Sequence, residues 1–387
     1  TQLFIPICLE TLLYMLSGMV DTLMLSSVND QAVGAVGTAN TYIGIFIIMF
    51  SVISSGMVAV MTQNIGAGRP GVAYQARQLG LTFNAVLGII VSLILTFGAG
   101  AILAGVGVAD ALMQPARTYL QIVGGFCILN ALIPICSSYL RAFGFSKEPL
   151  YASIIGNVIN FCLNAFFLFV LHKGVAGVAT ATVISRIINL VIVVLLGAVL
   201  VKAKQHPERE SNRAVMGQII RIGLPSACET AIYNVSMTLV IRFLNQMDAQ
   251  GLNVTARSYT MQITNFSYCV GAALAQANAI MTGWHIGAKE YDACDRGTKK
   301  AAVIGVIVAV ILETVFTLCS GWIMQLFSKD PQMVSLVGKL LAIDIVLEIG
   351  RVTNLVYGQA LKTSGDAVFP VVMGACFMIL CSVGGTY

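Results

Sequence analysis

The stretch PICLETLLYMLSGMVD, Pro6 to Asp21, governs how the rest of the chain is read, because it is apolar over a spanning length and yet carries two carboxylates. On a helix that turns about 100° per residue, Glu10, Tyr14, Ser17 and Asp21 fall within a sector of roughly 60° and form one polar stripe. At a rise of about 1.5 Å per residue, Asp21 lies about 16 Å along the axis from Glu10, deep in a hydrocarbon layer about 30 Å thick. An ionisable group at that depth is costly and marks a functional position by default. The plainer alternative is a carboxylate that braces a neighbouring helix.

Composition extends the reading to the whole chain. Of the 387 residues, 57% are hydrophobic and 10% charged, against about 25% charged in an ordinary soluble domain. Apolar runs of spanning length occur near 3–27, 41–65, 79–105, 118–140, 150–171, 175–201, 215–244, 258–283, 301–327, 333–360 and 368–387. Eleven such runs predict an all-α polytopic membrane protein, since lipid requires each segment to satisfy its own backbone. The ten cysteines lie mostly inside these runs without a CxxC pair, which reads as small core hydrophobes rather than metal ligands or disulfides. His172, His206 and His285 stand near run ends, far apart in sequence.

The net charge of +5 is explained by its distribution. The loops after the even-numbered runs, with their flanks, hold 14 of the 22 Lys and Arg residues, so these loops and the N-terminus are expected to face the cytoplasm of a cell-membrane protein. No basic tract is interleaved with aromatics, which argues against a nucleic-acid partner. HExxH and GxSxG motifs are missing from the sequence, which argues against an intramembrane enzyme, and little polar mass outside the runs supports a receptor.

The opening stretch has a copy. PSACETAIYNVSMTLV, Pro225 to Val240, repeats Pro6, Glu10, Thr11, Tyr14 and Ser17 as Pro225, Glu229, Thr230, Tyr233 and Ser236, a shift of 219. Further on the shift is 221: Ile65-Gly66-Ala67 answers Ile286-Gly287-Ala288, Leu140 answers Leu361, Gly144 answers Gly365 and Pro149 answers Pro370. Six spans separate equivalent positions, so the copies enter the membrane in the same direction and are expected to be parallel bundles about an axis along the membrane normal. The expected division is an N-terminal lobe, 1–201, a polar cytoplasmic linker, 202–213, and a C-terminal lobe, 214–387. Two runs follow Pro149 but only 17 residues follow Pro370, so a twelfth helix is expected beyond this chain; the lack of an initiator Met suggests missing residues at the start as well.

The VDT block closing at Asp21-Thr22, the block Gln63-Asn64-Ile65-Gly66-Ala67-Gly68, Leu140-Arg141-Ala142-Phe143-Gly144 with Pro149, and the run Gly174 to Thr182 together resemble the multidrug and toxic compound extrusion (MATE) family. Gly223-Leu224-Pro225, Ile286-Gly287-Ala288 and Ala360-Leu361-Lys362 with Gly365-Asp366 and Pro370 look like the same family in the second half. The resemblance covers essentially the whole chain. It implies a twelve-helix antiporter of two six-helix lobes, working as a monomer in the lipid bilayer. Its substrates would be organic cations or other drug-like amphipathic compounds, exchanged for protons or sodium, with no cofactor beyond the coupling ion.

The resemblance makes Asp21 the cation-coupling carboxylate, with sodium as a possible ligand. Asn160 and Asn164 stand where relatives carry an Asn and an Asp; Asn164 departs from the ionisable version and leaves proton versus sodium open. Thr182 is a further candidate hydroxyl, or an ordinary packing threonine. In the second half, relatives carry a Glu where Tyr233 stands, so Glu229, one turn earlier, is a candidate substitute. Asp344, Glu348 and Arg351 share a helix face, either as a charge-neutralising bridge or as part of a cation site. Glu313 has no evident local partner. Glu10, Tyr14, Ser17, Met57, Met61, Met261 and Met281 are candidate cavity residues, although methionine is more often packing. A lipid-linked oligosaccharide flippase of related fold is the nearest alternative function.

Overall fold

The computed structural model describes residues 2–27, 30–105, 108, 110–202, 207–247, 252–325 and 330–386. His206 and the neighbouring linker residues lie outside them. Among the described residues every regular element is helical. The chain divides into two compact units, Thr1–Leu224 and Pro225–Tyr387.

Unit 1 contains α1 (Phe4–Ser26), α2 (Asp30–Gly66), α3 (Pro70–Gly105), α4 (Asp110–Gly125), α5 (Ile128–Ala142), α6 (Lys147–Ala165) and α7 (Gly174–Leu200), together with the first turns of α8 (Asn212–Met247). The division therefore falls inside α8, at Pro225, and not in the polar linker. The reason is local: Gly223 is packed against the Val52 carbonyl and Gly56 against that of Ile219, so α2 and the start of α8 meet backbone to backbone. Only glycine allows two helices in a membrane to approach this closely. Asn84, fully buried on α3, adds a polar pin by donating its amide to the carbonyls of Phe50 (3.3 Å) and Ala131 (3.2 Å) on α2 and α5.

Unit 2 holds the rest of α8, then α9 (Leu252–Gly287), α10 (Tyr291–Leu318), the short α11 (Ser320–Met324), α12 (Pro331–Ser364) and α13 (Val368–Phe377). Helices α9, α10 and α12 pack on one another, and α12 also on α13. The internal repeat is written into these boundaries. Pro70 and Tyr291, Asp110 and Pro331, and Lys147 and Val368 begin helices at the same offset of 221, and Gly66 and Gly287 end them. The turns agree too: Gly68 (φ 72°) and Lys289 (φ 62°) occupy the left-handed region at that offset, as do Gly144 (φ 90°) and Gly365 (φ 105°). Glycine enters this region without steric cost, whereas Lys289 does so against the clash between Cβ and the backbone.

The run expected as one span over 118–140 is two helices, α4 and α5, bent by 43°. Gly124 packs on the Leu95 side chain, Gly125 faces Thr96 Oγ1, and Ser92 Oγ accepts the Ile128 amide at 3.1 Å, so α3 side chains replace part of the helix ladder at the break. The counterpart in unit 2, α12, is continuous. Among the described residues, six helices are long and apolar enough to cross a membrane, or seven with the bent pair. Five of the cysteines (162, 228, 319, 376 and 381) are exposed rather than in the core.

Candidate functional site

Asp21 is half-buried near the end of α1, and it is met by α6. Asn164 donates its amide to Asp21 Oδ1 at 2.6 Å and also to Asn160 Oδ1 at 3.1 Å. Asn160 in turn donates to Ser185 Oγ on α7 at 3.5 Å, and Ser185 donates to the Thr182 carbonyl at 2.9 Å. A polar thread thus runs from α1 through α6 to α7. Its asparagines are spaced four residues apart, which stacks them on one helix face. A five-residue π-helical turn, Phe166–Val170, follows at once; such turns recur beside functional sites.

Three of the four residues expected here are joined directly. Thr182 enters through its carbonyl rather than its hydroxyl, which donates to Val178 O in its own helix at 2.9 Å. Ser185 takes the hydroxyl role instead. Arg186, the next residue on α7, lies within electrostatic range of Asp21 and supplies a positive counterweight. From sequence neither stood out, because a single Ser or Arg on an apolar helix carries no spacing signal until the facing helix is known. The Asn164 Oδ1 atom is buried without a hydrogen-bond partner. A carbonyl-type oxygen beside a carboxylate is suited to receive a hydrogen bond from a proton on Asp21, or to ligate a hard cation shared with it.

The remaining stripe residues separate into two kinds. Glu10 is ion-paired with Arg141 of α5 and accepts from Ser153 Oγ of α6 at 3.3 Å, so it is a brace and not a free cavity wall. Glu229 is ion-paired with Lys362 of α12. Because Arg141 and Lys362 stand at the repeat offset, one ion pair has been built twice. Tyr14 and Tyr233 are exposed, Ser17 is half-buried and Ser236 buried. Met57 and Met61 are fully buried, with Met57 Sδ against Gly80, which makes them packing residues; Met261 and Met281 are exposed.

On α12, Arg351 pairs with Glu348 at 2.7 Å and with Asp344 at 3.3 Å. Glu313 of α10 is not isolated: it is fully buried against these same acids, with one oxygen of Glu313, Asp344 and Glu348 all within 4.8 Å of one another. Local spacing could not reveal this meeting, since it joins two helices.

The MatE family profile matches residues 6–166 and 225–387, spanning α1 to α6 of one repeat and the equivalent helices of the other. The chain belongs to the MatE family. Among its relatives, an uncharacterized transporter, YisQ, of Bacillus subtilis (strain 168) is 33% identical over 379 residues, covering 96% of this chain and 83% of the relative. A probable multidrug resistance protein, NorM, of Thermotoga maritima is 21% identical over 382 residues, covering 96% and 81%. A crystal structure of a MATE protein in its straight conformation matches with a TM-score of 0.89 at 18% identity, over 99% of this chain and 86% of that one. As a MatE protein the chain is a multi-pass membrane transporter, not an enzyme.

Proposed function

We propose that this MatE protein exports organic cations or other amphipathic, drug-like compounds from the cell in exchange for a proton or a sodium ion bound at Asp21. The observation that carries the reading is the link from Asp21 through Asn164 and Asn160 to Ser185, which places an acid of the first helix in contact with the two helices that close the repeat.

With Asp21 free of its ion, the carboxylate and its amide partner attract a cationic substrate from the cytoplasm or the inner leaflet. Binding of a proton or sodium removes that negative charge, and with it the Coulombic attraction on the substrate. Such exchange meets the demand of alternating access, because the ion and the substrate each favour a different state of the protein. The oxygen of Asn164 that has no donor completes the ion's shell in one case and accepts the carboxyl proton in the other. Arg186 supplies the positive charge that lets Asp21 stay ionised while neither is bound. Two asparagines in place of an Asn/Asp pair leave one titratable group in the thread, so one ion per cycle is expected at this site.

Proteoliposomes containing the full-length protein and loaded with a fluorescent organic cation test the proposal. A pH gradient and a sodium gradient are imposed separately. Cation movement driven by one of them supports the exchange; movement that follows neither gradient refutes it.

A further inference from the structure

We propose that the groove between α3 and the start of α8 binds an anionic phospholipid of the cytoplasmic leaflet, with an acyl chain in the groove and the phosphate on Arg213. The groove lies within unit 1 and has a volume of about 370 Å³. Leu79, Phe83, Val86 and Ile90 of α3 and Met216 of α8 form its walls. Thr82 also lines it, but its hydroxyl donates to the Gln78 carbonyl of its own helix at 2.9 Å, so the walls have no hydrogen bond to donate. Phe83, Val86 and Ile90 are each about half exposed, which leaves the groove open along its length.

Depth identifies the occupant. Leu79 opens the apolar run of α3, and the rise from there to Ile90 is about 16 Å, close to half of a hydrocarbon layer about 30 Å thick. A lipid chain fills one leaflet, whereas a helix of a second copy would need a face along the whole span. Charge identifies the headgroup. Arg213 stands one turn ahead of Met216; it is exposed and, among the described residues, carries no ion pair. Glu210, the acid nearest to it in sequence, is taken by Arg69. Gln75 of α3 holds this end of α8 in place: its amide donates to the Glu210 carbonyl at 2.7 Å and to Asn212 Oδ1 at 2.5 Å, and its oxygen accepts the Glu210 amide at 3.0 Å. Arg213 therefore stands beside the groove where both apolar runs begin, which is the level of lipid phosphate. By the positive-inside rule this end faces the cytoplasm, whose leaflet carries the anionic lipids. A lipid seated there touches both helices and stabilises the packing of the start of α8 within unit 1.

The test uses the full-length protein with Phe83→Trp as a reporter inside the groove, reconstituted in vesicles of phosphatidylcholine. Phosphatidylglycerol brominated on its acyl chains is added in one arm and brominated phosphatidylcholine in the other, since bromine quenches a tryptophan that it touches. The signal of the parent protein, which carries Trp284 and Trp322, is subtracted. Phosphatidylglycerol is expected to quench the reporter with about fivefold higher relative affinity, the contribution of one arginine near a lipid surface at low salt. Arg213→Gln in the reporter background is expected to remove that preference, and Lys147→Gln, an exposed cation at the start of α6 that does not line the groove, to retain it. A second readout needs no tryptophan variant: the Tm of the parent protein in detergent should rise further with added phosphatidylglycerol than with phosphatidylcholine. The proposal is overturned if the two lipids quench equally, if Arg213→Gln keeps the preference, or if Lys147→Gln removes as much of it, which would mean diffuse surface charge. It is also overturned if neither lipid quenches the reporter and cross-linking captures a dimer, which would put a second copy of the chain over the groove.

Discussion

Replacing Arg141 by methionine tests the frame on which the transporter is built. The Arg141 and Glu10 side chains are 9% and 16% exposed, so Arg141→Met leaves Glu10 as a nearly buried anion. Breaking a buried pair by removing one partner costs about 3–5 kcal/mol. Glu10 keeps the Ser153 hydroxyl at 3.3 Å, which puts the expected loss at the lower end, about 3 kcal/mol. Removing both charges in Glu10→Gln with Arg141→Met is expected to return the protein to within about 1 kcal/mol of wild type, so that the double substitution costs about 2 kcal/mol less than Arg141→Met alone. The repeated pair, Glu229 with Lys362, is more exposed at 24% and 11%, and Lys362→Met is expected to cost about 1–2 kcal/mol, less than its counterpart. Unfolding of the purified proteins in mixed micelles, followed by circular dichroism, reads all of these. If the double substitution costs the sum of its singles, the two charges do not act as a pair and the reasoning is wrong.

Other expectations follow from backbone geometry. Lys289→Gly removes a side chain from the left-handed region and should stabilise the protein by about 1 kcal/mol in the same unfolding assay. Gly223→Val drives a side chain onto the Val52 carbonyl, where backbone cannot yield, and should cost about 3 kcal/mol or more. By contrast, Gly217→Ala, which meets open space, should stay within about 0.5 kcal/mol. Equal behaviour of the two glycine variants in size-exclusion profile and Tm would show that α2 and α8 do not meet as described.

What was legible in the sequence, and what was not, divides along the repeat. Long apolar runs with carboxylates at helical spacing specify a helical membrane protein, because lipid leaves the backbone few alternatives. The duplicated residues, Glu10 with Glu229 and Gly144 with Gly365, could be paired in sequence, and the structure shows them as framework: ion pairs, and left-handed turns. Asp21, whose counterpart is Val240, stood out by not being repeated. Contacts between helices were beyond reach. Ser185 and Arg186 beside the Asn160 and Asn164 thread, Glu313 beside Asp344 and Glu348, and the break after Gly125 each depend on which face of one helix meets which face of another. Apolar helices accept many such pairings until packing is known.

The most direct test of the central claim is gradient-driven uptake of a fluorescent organic cation into proteoliposomes, comparing the wild type with Asp21→Asn at matched protein content. The amide keeps the size of the side chain and its contact with Asn164 but can carry neither a proton nor a metal ion's charge. The account predicts that uptake falls to the level of protein-free vesicles while the Tm stays within a few degrees of wild type; undiminished uptake by Asp21→Asn would contradict it.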